Sequence, residues 1–126
     1  SAEHLSYMEH LGIIRQHVIP EGEAVTLDDI TVTPVPLAVD YVFAFLLENG
    51  SSRVLVAPDE LVGWDAPESL HELDLAILPS GVCEFHPLSG DRMIASDAAI
   101  LTSEMRYEQT LELIREMEPK RAILAH

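Results

Sequence analysis

Two stretches decide how this chain is read: Arg53-Val54-Leu55-Val56-Ala57-Pro58-Asp59-Glu60, and the final six residues, Arg121-Ala122-Ile123-Leu124-Ala125-His126. In each, a short apolar run is followed closely by a side chain able to bind a cation, Asp59 in the first and His126 in the second. A run of that length between polar residues suits a buried strand, because a helix needs more residues to bury a face. A carboxylate and an imidazole at the carboxyl ends of strands stand where α/β folds assemble their sites.

Working outward, residues 41–47 and 53–57 are apolar runs separated by Asn49-Gly50, which supplies the positive φ of a tight connection. An antiparallel hairpin is expected there. Before it, residues 24–27 and 30–37 read as two short strands around Asp28-Asp29. Pro34 and Pro36 cannot donate ladder hydrogen bonds, so the second of these is expected at an edge or a bulge. Leu5, Met8 and Leu11 recur at helical spacing, predicting a helix over 2–11 that ends near Gly12. Residues 13–19 read as strand-like, closed by Pro20-Glu21-Gly22.

After the hairpin, residues 68–73 suggest a helical turn and residues 74–78 another buried strand stopping at Pro79. Residues 80–97 form a long connection with Gly81, Pro87 and Gly90, and connections of that length are commonly functional. Residues 103–118 carry the clearest amphipathic period: Tyr107, Thr110, Leu111, Ile114 and Met117 share one face. Thr102 or Ser103 is the expected cap and Pro119 the stop. Strand 74–78, this helix and strand 121–125 make a β-α-β unit with parallel strands, which brings Pro79-Ser80 and His126 to one edge. Asp59 joins that edge if strand 53–57 runs parallel to them. The fold class is α/β in the broad sense (α+β), a mostly antiparallel sheet extended by parallel strands with helices on one face.

The 126 residues suffice for a single domain with a core. A net charge of −15, from 7 Lys plus Arg against 22 Asp plus Glu, leaves little to neutralise phosphates, so nucleic acid is not an expected partner. No apolar run approaches a membrane span, and the first residues lack a secretory pattern. A single cysteine, Cys83, excludes an internal disulfide and fits a reducing, cytoplasmic setting.

With those elements placed, the chain resembles the carboxy-terminal half of a metallo-β-lactamase-fold hydrolase, of the phosphodiesterase-like branch. The matching pieces are the hairpin leading into Ala57-Pro58-Asp59, the strand ending at Leu78, a loop, a helix, and the strand ending in Ala125-His126. The resemblance implies one half of an αββα sandwich, with residues 1–126 as a single domain or a fragment of one. It implies that Asp59 bridges two divalent metal ions (zinc first, manganese or iron as alternatives) and that His126 completes one metal's shell. A metal-bound water would then attack a small-molecule ester, phosphodiester or lactone. The family's His-x-His-x-Asp-His signature is absent from these residues, and catalytic zinc takes three protein ligands. An upstream half would therefore have to complete the site. The ending at His126, directly after the last strand, points the same way. An apolar sheet face left without its covering layer is a further expectation, with a homo-oligomer or the missing half as the partner.

Each residue also carries a plainer reading. Asp59 suits a turn-capping carboxylate, His126 a frayed terminus, and Glu60 a solvated neighbour. His86 and Ser80, on the long connection, are candidates for contact with substrate or metal, and otherwise ordinary loop residues. Trp64 is either a lid over the site or part of the core. The competing function is a non-catalytic acidic α/β interaction module or a degenerate relative. A receiver-like domain, with Asp59 after a strand, fits the antiparallel hairpin poorly.

Overall fold

A computed structural model describes residues 2–20 and 22–125. Its helices are α1 (Ala2–His10), α2 (Ile100–Ser103) and α3 (Tyr107–Met117). Its strands are β1 (Val25–Leu27), β2 (Ile30–Pro36), β3 (Phe43–Asn49), β4 (Ser52–Val56), β5 (Leu75–Pro79) and β6 (Ala122–Ala125). The strands form one six-stranded sheet in sequence order. β1 to β4 pair antiparallel, whereas β4–β5 and β5–β6 are parallel. The switch falls where the connections lengthen, since antiparallel neighbours accept tight turns and parallel ones need a crossover.

The β3–β4 register pairs Asn49 with Ser52, so the turn residues are Gly50 and Ser51 rather than Asn49 and Gly50. Gly50 takes the left-handed conformation, φ +45. β2 is internal to the sheet, not an edge. Its prolines are tolerated for a local reason. β1 pairs only as far as Val32, and Leu37 N–H donates toward β3, to Val42 O at 3.1 Å. By alternation, the nitrogens of Pro34 and Pro36 face away from β3, on the stretch that β1 leaves uncovered.

The core lies on one face. Ala44 and Leu46 of β3, Leu55 of β4, and Ala76 and Leu78 of β5 are buried there at alternate positions. Leu61, Leu70 and Leu73 from the β4–β5 connection and Leu113 and Met117 of α3 complete the cluster. A 3₁₀ turn at Glu68–Leu70 stands where a helical turn was expected. The Arg53 guanidinium donates to the Ser69 and His71 carbonyls and so ties this turn to β4.

The other sheet face is also apolar. Register places Pro34, Phe45, Val56, Ile77 and Ile123 in one line across β2 to β6, and directly opposite residues share a face. None belongs to the core cluster. Phe45 and Ile123 are 38% and 50% exposed.

Two further expectations fail. Residues 13–19 form no strand, because no neighbour offers a ladder: Gln16 instead turns back to Glu9, its N–H and side-chain amide meeting the carboxylate at 2.9 Å each. The helix expected from residue 103 begins at Tyr107, after a separate turn, α2. Glu104 and Arg106 are extended, and Arg106 N–H donates to Gln109 Oε1 at 2.9 Å, so the cap is at Arg106 and not at Thr102 or Ser103.

Candidate functional site

Three parallel strands end at a common edge, and a cavity of about 580 Å³ opens there. Val56 and Ala57 come to it from β4, Ile77 and Pro79 from β5, and Ala125 from β6. Asp59, Glu60, Ser103 and Glu104 supply its polar atoms, with Met105 beside them. Val56 and Ile77 also belong to the half-exposed apolar sheet face, so the cavity is continuous with that face.

Asp59 is exposed at the cavity. Its Oδ1 accepts the Glu60 N–H at 2.8 Å, and its Oδ2 makes no hydrogen bond among the described residues. The carboxylate is held by one oxygen and open at the other. Ala125, the residue before His126, lines the same cavity, whereas His126 lies outside the described residues.

Glu60 is not the solvated neighbour that its position suggested. It is half-buried, and its Oε1 accepts the Val62 N–H at 2.6 Å and the Met105 N–H at 2.8 Å. The second bond spans 45 residues and crosses from the β4 exit to the joint between α2 and α3. Met105 O accepts the Val82 N–H at 2.9 Å, and Val82 O accepts the Tyr107 N–H at 3.0 Å. This brings the segment before α3 alongside the β5 exit.

Ser80 continues the β5–β6 ladder, its N–H donating to Ala125 O at 2.9 Å. Its hydroxyl donates to Gly81 O at 3.4 Å. Gly81 lines the cavity with φ +71, and a Cβ there would lie 2.6 Å from Met105 O, so backbone meets backbone at this wall. His86 is away from the cavity lining. Its Nδ1 accepts from the Leu88 and Ser89 N–H groups at 3.3 and 3.1 Å, which makes it the staple of its own turn. Trp64 is buried at 8% exposure within the core and does not line the cavity.

Beside the cavity, Glu84 is largely buried and pairs with both Arg92 and Arg106. The Arg92 hydrogen bond, more than that of Arg106, holds its carboxyl below the usual range, against the opposing effect of burial. Arg92 lies over the Phe85 ring, 4.5 Å from its centre. Ser103, Glu104, Met105 and Glu84 escape a sequence reading: the first three sit inside a helical period, and a salt bridge between distant loops leaves no local pattern.

As a donor set, the described residues fit one arm of a metal site and not a whole one. The open oxygen of Asp59 is a hard donor suited to a divalent ion. No group of three His, Cys, Asp or Glu among the described residues could hold one.

Residues 2–126 match the sequence profile of the beta-lactamase superfamily domain. No curated protein matches the chain. Among solved structures, the chain is similar to CmlA, a diiron beta-hydroxylase from Streptomyces venezuelae, at 14% identity and a TM-score of 0.59. The alignment covers 93% of this chain and 26% of that one. At that identity the likeness is one of fold. This chain spans about a quarter of the neighbour's length.

Proposed function

The chain belongs to the beta-lactamase superfamily of the metallo type, and from that premise we propose that it contributes the Asp59 arm of a divalent-metal site in a hydrolase acting on a small ester, phosphodiester or lactone. One observation carries the reading: Asp59 and Ala125, from the exits of β4 and β6, line the same cavity. His126 is bonded to the second of them. The remaining ligands come from residues beyond those described. A carboxylate and imidazole set suits zinc, manganese or iron. Bound metal in such a site supplies Lewis acidity and lowers the pKa of water toward about 7.

What these residues do follows from their geometry. Asp59 lines the cavity, tied at Oδ1 by the Glu60 N–H and with Oδ2 left open for a ligand. Val56, Ile77 and Met105 make its walls apolar, which keeps the local dielectric low and strengthens any charge interaction inside. Glu60 and Glu104 make it unwelcoming to a long polyanion, in keeping with the −15 net charge of the chain. A second sheet, packed on the Phe45–Val56–Ile77 line, would close the cavity on its open side. That covering layer is the partner we propose for the face.

The test is metal content and turnover of the complete protein and of its Asp59→Ala variant. Elemental analysis should find about two divalent ions per chain in the first and a loss in the second. Turnover of bis(p-nitrophenyl) phosphate, a lactone and a thioester should fall at least a hundredfold in the variant while the fold persists. Unchanged metal content and turnover in Asp59→Ala would remove the metal-ligand role. A complete protein that binds no metal would favour a non-catalytic interaction module.

A further inference from the structure

Four segments wall the cavity: the exit of β4, the exit of β5, the joint between α2 and α3, and the end of β6. They come from distant parts of the chain, and one side chain links the first to the third. Glu60 Oε1 takes the Val62 N–H at 2.6 Å within its own turn and the Met105 N–H at 2.8 Å from the joint between α2 and α3. Met105 in turn passes the connection on, its carbonyl taking the Val82 N–H at 2.9 Å. Gly81, against the Met105 carbonyl, leaves no slack at that contact. Glu60 N–H is also the group that fixes Asp59 Oδ1, at 2.8 Å.

We infer that Glu60 is a positioning residue for Asp59. Its carboxylate clamps the turn that carries Asp59 to Met105, which lies between the extended residues Glu104 and Arg106, and so fixes where the open oxygen of Asp59 stands relative to the β5 and β6 exits. The clamp needs an acceptor at Oε1 and does not need a charge there. It uses the backbone of Met105, not its side chain. Loss of the Glu60 carboxylate removes the Val62 and Met105 contacts together, and of the bonds these two side chains make only that between Asp59 Oδ1 and the Glu60 N–H is left. Ligand-supporting residues of this kind change metal affinity by about 10- to 100-fold when removed.

This inference rests on Asp59 as a metal ligand, and the experiment separates the two. Zinc affinity of the complete protein is measured by chelator competition for wild type, Asp59→Ala, Glu60→Ala and Glu60→Gln. Glutamine keeps a carbonyl acceptor at the same reach and removes the charge. The expected pattern is a loss in Asp59→Ala, a loss of about tenfold in Glu60→Ala, and near-wild-type affinity in Glu60→Gln. A loss in Asp59→Ala with none in Glu60→Ala sinks the clamp and spares the metal reading. Equal losses in Glu60→Ala and Glu60→Gln also sink it, because the charge would then be what matters. Amide hydrogen exchange in the unaltered protein gives a second readout that needs no variant to fold. The Met105 N–H should be protected well beyond amides that make no hydrogen bond in the structure. Exchange at Met105 as fast as in an open loop contradicts the inference.

Discussion

Lys120 Nζ stands 2.7 Å from Asp74 Oδ1, and the other oxygen of Asp74 accepts the Arg53 N–H at 2.8 Å. One carboxylate thus joins the entrances of β4, β5 and β6, at the end of the sheet opposite the cavity. The Lys120 bond first, and the Arg53 amide second, hold the Asp74 carboxyl below its ordinary pKa. A lowered folded-state pKa stabilises the fold above the unfolded-state value, near about 4, and that contribution disappears as pH falls through the lower folded value. Asp74→Asn should therefore be less stable than wild type at neutral pH, and the two should converge in acid. Urea unfolding at a series of pH values measures this; curves that stay parallel down to strong acid would contradict it. The lysine is 71% exposed, so Lys120→Ala should have the smaller effect.

Gly81 combines a left-handed φ of +71 with a backbone carbonyl 2.6 Å from where a Cβ would be. The conformation alone costs a non-glycine residue about 1–2 kcal/mol, and the overlap with a backbone atom adds about 1–3 kcal/mol. Gly81→Ala should lower unfolding free energy by about twice as much as Gly50→Ala, which shares the left-handed φ but has nothing within 4 Å of the added carbon. Denaturant titration of the two variants compares them directly.

Thr110 is fully buried on α3, and its hydroxyl has no hydrogen-bond partner among the described residues. An unsatisfied buried polar group is costly, and Val has nearly the same shape. Thr110→Val should raise stability by about 1 kcal/mol, read as a higher denaturant midpoint with unchanged slope. A fall would mean that the hydroxyl has found a partner in solution.

Phe45, Val56 and Ile77 form the half-exposed line on the uncovered sheet face. The 126-residue chain expressed alone should bind a hydrophobic dye such as ANS and self-associate. Phe45→Lys with Ile77→Lys should reduce both. The same pair placed in the complete protein should instead cost stability, because a covered face would then bury two charges. Thermal melts of the complete protein carrying the pair, set beside dye binding by the short chain, give both arms.

Much of the sheet was legible in the residues themselves. The apolar runs at 41–47, 53–57 and 74–78, the Gly50 turn, and the helical period ending at Pro119 each carry a local signal, because turn chemistry and side-chain period act within a few residues. The parallel β5–α3–β6 unit followed from those signals through the handed, crossing-free way strands connect. From there the convergence of the Asp59 and β6 ends on one edge could be expected in advance.

What only the tertiary structure decided is how the edge becomes a cavity. Met105 leaves the helix that its sequence period favours because its amide finds Glu60, 45 residues away, and its carbonyl finds Val82. Every backbone carries that same amide and carbonyl, so no side-chain pattern announces which distant partner will take them. Residues 13–19 show the converse, a strand-like composition with no ladder beside it. Local chemistry selected the elements; the satisfaction of backbone groups between remote segments shaped the site.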